Sequence, residues 1–213
     1  YASNTFFSML ITYSNEFLRL SRTINDVNID EIFDSLFRDR RFTTSNNRLG
    51  LFDYIKSGPG FGGSCFPKDL LALEEYANSK STKTQLINSI YKSNESQFNF
   101  VLDKIKQLSK KKETTVGFCG MSFKANSDDL RQSPSIKIIN LINKKLKNVK
   151  KINWYDINIP KNKKFSLNIE LNNCSTLEKL FDNSNIIILI FINNKNEKKI
   201  INTIMKKSDK VLL

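Results

Sequence analysis

Between Ser57 and Asp69 the chain reads Ser-Gly-Pro-Gly-Phe-Gly-Gly-Ser-Cys-Phe-Pro-Lys-Asp, and this run constrains the fold more than any other. It holds four of the seven glycines, two of the four prolines and one of the three cysteines. Glycine at this density rules out a helix or strand interior. It lets main-chain N–H groups approach a partner closely, at a cost in backbone entropy. The four glycines before the thiol predict a loop that cradles an anion, and the apolar-periodic run from Leu70 predicts a helix after it. A cysteine between them sits in the electropositive, partly open setting that favours a thiolate nucleophile. Lys68 and Asp69 add a cation and a candidate base within one turn of the sulfur. A lone cysteine is usually inert packing, but thirteen residues of this composition favour a functional loop.

The rest of the composition narrows the chemistry. The 213 residues contain no histidine, which excludes Ser-His and Cys-His catalysis and most metal sites. Acid–base work falls to Lys, Asp, Glu or water. Three cysteines without regular spacing make neither a disulfide framework nor a zinc site, and no metal is expected. No run of eighteen apolar residues exists, so no transmembrane helix is expected, and no membrane partner is expected either. Tyr1-Ala2-Ser3-Asn4 has neither an initiator Met nor a basic-then-apolar leader. The chain reads as cut from something longer, in a cytoplasmic protein. Its 34 basic against 21 acidic residues, net +13, imply an anionic partner. The lysine pairs recur near helix ends and turns without interleaved aromatics, so solvated faces explain them better than a nucleic-acid platform.

Taken in order, the first half is helical. Phe6, Leu10, Tyr13, Phe17, Leu20 and Ile24 alternate by four and three, predicting a long amphipathic helix from Thr5 to Ile24. Asn28 with Glu31 marks a capped helix start through Phe37. A polar loop over 38–50 follows, and after the glycine loop come a short helix to Asn78 and a long one from Lys83 to Leu108. The texture changes after Lys110-Lys111-Lys112. Strands are predicted at Thr114–Cys119, Ile152–Tyr155, Ile186–Ile192 and Val211–Leu213. Helices are predicted from Pro134, over Leu177–Phe181 and over Glu197–Lys206. This alternation predicts an α/β chain of two domains. An all-helical domain over 1–109 carries the Cys loop, and a Rossmann-like doubly wound parallel-sheet domain spans 113–213. The loop after its first strand, Met121 to Ser133, lies where such sheets bind ligands but lacks G-x-G-x-x-G.

The run Gly60-Phe61-Gly62-Gly63-Ser64-Cys65-Phe66-Pro67-Lys68-Asp69 resembles the catalytic loop of the UDP-glucose/GDP-mannose dehydrogenase family, most closely its UDP-glucose-oxidising branch. The resemblance reaches both flanks. Asn4 matches the Asn of a Lys-x-x-x-Asn motif whose Lys would stand immediately before Tyr1. Arg48-Leu49-Gly50 resembles Arg-Ile-Gly, one residue further from the glycine loop than in the family. Phe123-Lys124 with Arg131 resembles a Phe-Lys loop followed by an Arg eight residues beyond the Phe.

By this resemblance the helical domain is a central domain that forms a homodimer. The whole protein oxidises the C6 alcohol of a UDP-sugar with two NAD. Cys65 would carry a thiohemiacetal and then a thioester, Asn4 would stabilise the oxyanion, Asp69 would orient water, and Lys68 would lie near the nicotinamide. Asn4, Arg48, Tyr54, Ile55, Lys56, Ser57, Gly58, Gly62, Phe123 and Lys124 are the implied substrate contacts, and Cys65, Lys68 and Arg131 the implied cofactor contacts. The family's amino-terminal NAD-binding domain is not in this chain, so these residues alone are expected to be inactive. UDP-N-acetylhexosamine and GDP-mannose are the alternative substrates. A non-catalytic sugar-nucleotide-binding subunit and a basic nucleic-acid-binding protein are the rival classes, and no nucleic-acid partner is expected.

Overall fold

The computed structural model describes residues 1–41, 50–109, 113–163, 165, 169–190 and 211–212. They form two compact units, Tyr1–Phe61 with Cys65–Gln97, and Gly62–Ser64 with Phe98–Leu213. Arg48 and the helix expected over Glu197–Lys206 lie outside the described residues.

The first unit is helical, as expected. It contains α1 (Ala2–Ser21), α2 (Ile29–Phe37), a 3-10 turn (Gly50–Tyr54), α3 (Phe66–Ser79) and α4 (Gln85–Leu108) as far as Gln97. The Asn28 side chain caps α2 by accepting from the Asp30 N–H at 3.0 Å, and its own amide donates to Glu31 at 3.2 Å. Helix α3 starts earlier than the apolar pattern predicts, at Phe66 rather than Leu70. Pro67 fits its first turn, where the missing N–H costs nothing.

The predicted apolar stripe of α1 does not form a core face in the single chain. Leu10 and Phe17 pack against Phe33, Phe52 and Ile55, but Phe6, Tyr13, Leu20 and Ile24 are 41–57% exposed. The buried face of α1 is instead Ser8, Thr12, Ser14, Asn15 and Ser21. A second cluster, Phe61, Leu70 and Ile90 with Met9, Phe66 and Ile87, joins the glycine loop to α1, α3 and α4.

The second unit is the expected α/β domain. Its elements are β1 (Thr114–Cys119), α5 (Pro134–Lys145), β2 (Val149–Tyr155), β3 (Glu170–Asn173), α6 (Leu177–Asp182), β4 (Ile186–Leu189) and β5 (Val211–Leu212). The strands run parallel in the order β3-β2-β1-β4-β5. The apolar pattern does not predict strand β3. Its sequence, Glu-Leu-Asn-Asn, lacks that signal because it is an edge strand.

Side chains alternate across the sheet with the period of two. Val116, Phe118, Ile152, Trp154, Ile186 and Ile188 pack with Phe98, Leu102 and Ile105 of α4 and with Ile138, Ile139 and Ile142 of α5. Cys119, Ile187 and Leu189 pack with Leu177, Leu180 and Phe181 on the other face. Full burial of each such aliphatic or aromatic side chain contributes about 1.5–3 kcal/mol. Ser133 caps α5, accepting from Ser135 N–H at 3.2 Å, and Pro134 opens it. Because β1 lies between β2 and β4, the loop from Gly120 to Ser133 leaves the sheet at its topological switch point.

Candidate active site

In the first unit, Cys65 occupies the N-cap of α3 and is exposed, and its carbonyl accepts from the Asp69 N–H at 2.9 Å. One turn on, the Asp69 carboxylate is 5% exposed and holds two partners. Lys68 Nζ donates to its Oδ1 at 2.6 Å, and Asn4 Nδ2 donates to its Oδ2 at 2.6 Å. The Lys68 bond foremost, and then the Asn4 bond, hold the Asp69 carboxyl below its ordinary value of 3.8. Reciprocally, Asp69 raises Lys68 above 10.5. The Lys68 ammonium also lies 5.6 Å from the centre of the Tyr1 ring. Asn4, Lys68 and Asp69 thus form one hydrogen-bonded set, with Cys65 at the start of the same helix.

The glycine loop leading to Cys65 is held by side chains rather than by regular structure. Ser57 Oγ donates to the Ser14 carbonyl at 3.2 Å. Gly58 N–H donates to Asn15 Oδ1 at 2.8 Å, and Gln97 Nε2 donates to the Gly58 carbonyl at 2.7 Å. Asn94 meets both polar groups of Phe61, accepting from its N–H at 2.9 Å and donating to its carbonyl at 3.0 Å. Asn15, Asn94 and Gln97 are each at most 2% exposed. Deleting the Asn94 amide leaves both main-chain groups of the buried Phe61 unmatched, which costs about 1–3 kcal/mol per group, and the partly buried Gly58 groups lose less. Asn15 Nδ2 is itself a buried donor without a partner among the described residues. Upstream, Tyr54 stacks on Phe7 with ring centres 4.2 Å apart, and Lys56 pairs with Asp53 at 3.9 Å. The Ile55 side chain is buried in the core, so it presents only main chain at this position.

In the second unit, Gly62–Ser64 rests on the loop after β1. Gly63 N–H donates to the Arg131 carbonyl at 3.1 Å. A Cβ on Gly62 would stand 2.0 Å from the Gln132 carbonyl oxygen, and one on Gly63 2.7 Å from the Phe123 ring. Gly63 also has φ +83°, which favours glycine. Phe123 is half-buried, with the exposed Lys124 ammonium 5.4 Å from its ring centre. Arg131 pairs with Asp129 at 2.7 Å. Ser133 and Ser135 hydroxyls donate to the carbonyls of Met121 and Gly120 at 2.6 and 2.7 Å. Asp156, just past β2, accepts from the N–H groups of Met121 and Ser122 at 2.8 and 3.3 Å.

The other two cysteines are buried. Burial foremost, with Asp156 nearby, pushes the Cys119 thiol up to about 12, and burial raises Cys174 too. The polar sequence around Cys174 predicts an accessible thiol; its packing against Leu177 and Phe181 corrects that.

Motif reading misses Asn15, Asn94 and Gln97, which hold the glycine loop of the first unit, and Asp156, which holds the β1 loop of the second. Asn94 and Gln97 do leave a trace, since they interrupt the apolar stripe of α4 between Tyr91 and Phe98. Among the described residues no group of three His, Cys, Asp or Glu is arranged to hold a metal, and no helix is long and apolar enough to cross a membrane.

Both parts of the chain have counterparts among known proteins. Residues 1–96 match the central domain of the UDP-glucose/GDP-mannose dehydrogenase family, and residues 117–211 match its UDP binding domain. A UDP-glucose 6-dehydrogenase of Rickettsia bellii is 33% identical over 147 residues, 68% of this chain and 32% of that protein. A GDP-mannose 6-dehydrogenase of Pseudomonas savastanoi pv. phaseolicola is 32% identical over 142 residues, 67% of this chain and 30% of that protein. The solved UDP-glucose dehydrogenase of Pyrobaculum islandicum superimposes with a TM-score of 0.78 at 25% identity, over 92% of this chain and 43% of that one. The chain spans about a third of the length of the curated relatives it matches. With both family domains matched in order and the parallel sheet in place, the chain belongs to the UDP-glucose/GDP-mannose dehydrogenase family.

Proposed function

We propose that the whole protein is an NAD-dependent nucleotide-sugar 6-dehydrogenase acting on UDP-glucose, with Cys65 as its covalent nucleophile. The observation that carries this reading is the set built on the first turn of α3, an exposed thiol followed by a carboxylate held by Lys68 and Asn4. The UDP binding domain of the family, matched over residues 117–211, supports the substrate class.

Oxidation of an alcohol to a carboxylate removes two hydrides. The first leaves C6 as an aldehyde. The Cys65 sulfur then adds to the carbonyl carbon, and the oxygen takes a proton to give a thiohemiacetal. Loss of a second hydride yields a thioester, and water displaces the thiol to release the acid. A thiolate suits both halves, being a good nucleophile and a good leaving group. Asn4, whose amide donates to Asp69, is assigned to the developing oxyanion charge, and ionised Asp69 is assigned to orienting the attacking water. Tyr54, Lys56, Ser57 and Gly58 are assigned to substrate binding. Phe123 and Lys124 are assigned to the nucleotide sugar, because a lysine and main-chain amides are apt donors to a diphosphate.

NAD, when bound, accepts the hydrides. Among the described residues the α/β domain has no cradle for that dinucleotide. Its β1 loop lacks the glycine fingerprint, and the Asp156 carboxylate, where a ribose would be read, is taken by Met121 and Ser122. Lys68 and Arg131 are the cations of this chain assigned to it. Residues 1–109 are assigned to the assembling domain and 113–213 to the nucleotide-sugar domain. The exposed Phe6, Tyr13 and Leu20 are assigned to a homodimer interface.

The test is NADH formed per sugar by the full-length protein with UDP-glucose, UDP-N-acetylhexosamines and GDP-mannose. Two NADH per UDP-glucose, lost by several orders of magnitude in Cys65→Ser, is expected. An unimpaired Cys65→Ser enzyme would overturn the covalent role, and preference for another sugar nucleotide would overturn the substrate.

A further inference from the structure

We infer that Gln97 and Asn94, with Arg19 behind Gln97, are positioning residues that fix the glycine loop and thereby set the reactivity of Cys65. This rests on reading Cys65 as the nucleophile. Between Gly58 and Phe61 the main chain has no ladder or helix of its own. The N–H and C=O of both residues are met by side-chain amides, those of Asn15 and Gln97 at Gly58 and that of Asn94 at Phe61. Asn94 and Gln97 lie three residues apart on α4, so one rigid helix face holds two points of a segment rich in glycine. From Phe61 only Gly62, Gly63 and Ser64 lead to Cys65.

The amide of Gln97 can face Gly58 in two ways, and Arg19 decides between them. Arg19 Nη1 donates to Gln97 Oε1 at 2.7 Å, and a guanidinium has no acceptor. The opposite orientation would set two donors against each other, so Nε2 is kept toward the Gly58 carbonyl. Arg19 is itself held, donating from Nη2 to Ser93 Oγ at 2.9 Å and pairing with Glu16 at 3.6 Å, while Ser93 also donates to Glu16. A partly buried cation is a costly way to fill space, and its desolvation lowers the Arg19 pKa. Its effect is to orient one amide on the catalytic loop.

The test uses full-length protein carrying Gln97→Glu or Asn94→Ala. Gln97→Glu keeps an acceptor for Arg19 but turns an acceptor toward the Gly58 carbonyl. The readouts are iodoacetamide alkylation of Cys65 followed by mass spectrometry at fixed neutral pH, thermal melting, and kcat and KM with UDP-glucose. For a folded Gln97→Glu protein, Cys65 alkylation and kcat should fall by about ten- to a hundredfold, with KM moving less than about threefold. Asn94→Ala should act in the same direction. Wild-type alkylation in folded Gln97→Glu, losses that only track the unfolded fraction, or a change confined to KM would each overturn the inference. If the wild-type protein oxidises no nucleotide sugar yet Cys65 alkylation still depends on Gln97 and Asn94, the enzymatic reading fails and the positioning role stands.

Discussion

Asn4 and Asp69 stand 65 residues apart in sequence and meet at 2.6 Å, the Asn4 amide donating to the carboxylate. The contact joins the first turn of α1 to the first turn of α3. It also fixes the ionisation of Asp69, because a neutral acid accepts this bond and the one from Lys68 less well.

That linkage gives a pH prediction with a definite sign. Asp69 titrates below 3.8 in the folded protein, so the unfolded chain binds more protons across the intervening window. The stabilisation from its partners is present at neutral pH and is lost as pH falls through the folded value. Lys68 titrates above 10.5, so its share is complete below that pH and is lost as pH rises through the raised value. Thermal melting of wild type and Asp69→Asn should therefore differ at neutral pH and converge in acid, below about pH 4. A difference that stays constant into acid would contradict the assignment. In the whole protein, Asp69→Asn should also lower turnover by about 10²- to 10⁴-fold, as expected when a group that handles a proton or orients water is neutralised.

The glycines of the loop should divide sharply on substitution. Gly62→Ala places a methyl 2.0 Å from a main-chain oxygen, and Gly63→Ala adds positive φ to a clash with Phe123. Each should destabilise by about 1–3 kcal/mol. At Gly58 a methyl would meet nothing within 4 Å and φ is not positive, so Gly58→Ala should stay within about 1 kcal/mol of wild type. Melting temperatures of the three variants check this. Equal losses would mean that these glycines serve chain flexibility rather than close approach.

Much of this site is legible in sequence because its parts are local. The glycine run, the thiol and the Lys68-Asp69 pair announce themselves within thirteen residues, and the parallel strands announce themselves as apolar runs. Two kinds of feature escape. Strand β3 is an edge strand whose polar residues carry no burial signal. The amides of Asn15, Asn94 and Gln97 act at sequence separations of 33 to 43 residues, beyond any local pattern. The same cause inverts α1. Its heptad-like apolar positions look like core, yet Ser8, Thr12, Ser14 and Asn15 form the buried face, and two of them, Ser14 and Asn15, hold the loop.

The three thiols should separate by reactivity. With Cys119 pushed up to about 12, only roughly one molecule in 10⁵ carries its thiolate at pH 7. Cys174 is 7% exposed and is raised as well, so it too should be slow. Cys65 is exposed at a helix N-cap and should take most of the label in a brief iodoacetamide pulse read by peptide mapping. Equal labelling of Cys174 would show that its packing opens readily.

The exposed side of α1 leads to the remaining prediction, which concerns assembly. Phe6, Tyr13 and Leu20 recur every seven residues, which places them in one row along the helix, and all are more than 40% exposed. A row of large apolar side chains is unfavourable in water, and in the proposed homodimer a like row on a second copy about a two-fold axis would cover it. Each side chain fully buried there would contribute about 1.5–3 kcal/mol. Tyr13→Glu together with Leu20→Glu should therefore shift the full-length protein toward a smaller species in light scattering. The buried polar face of α1 should be untouched, because Ser8, Thr12 and Asn15 lie on another face, and the loss of the Tyr13 ring from Phe17 and Phe33 is confined to the edge of that core. Helical content by circular dichroism should accordingly hold. A double variant that keeps its wild-type mass at micromolar concentration would remove α1 from the interface, and one that loses its helices would show that the row serves folding instead.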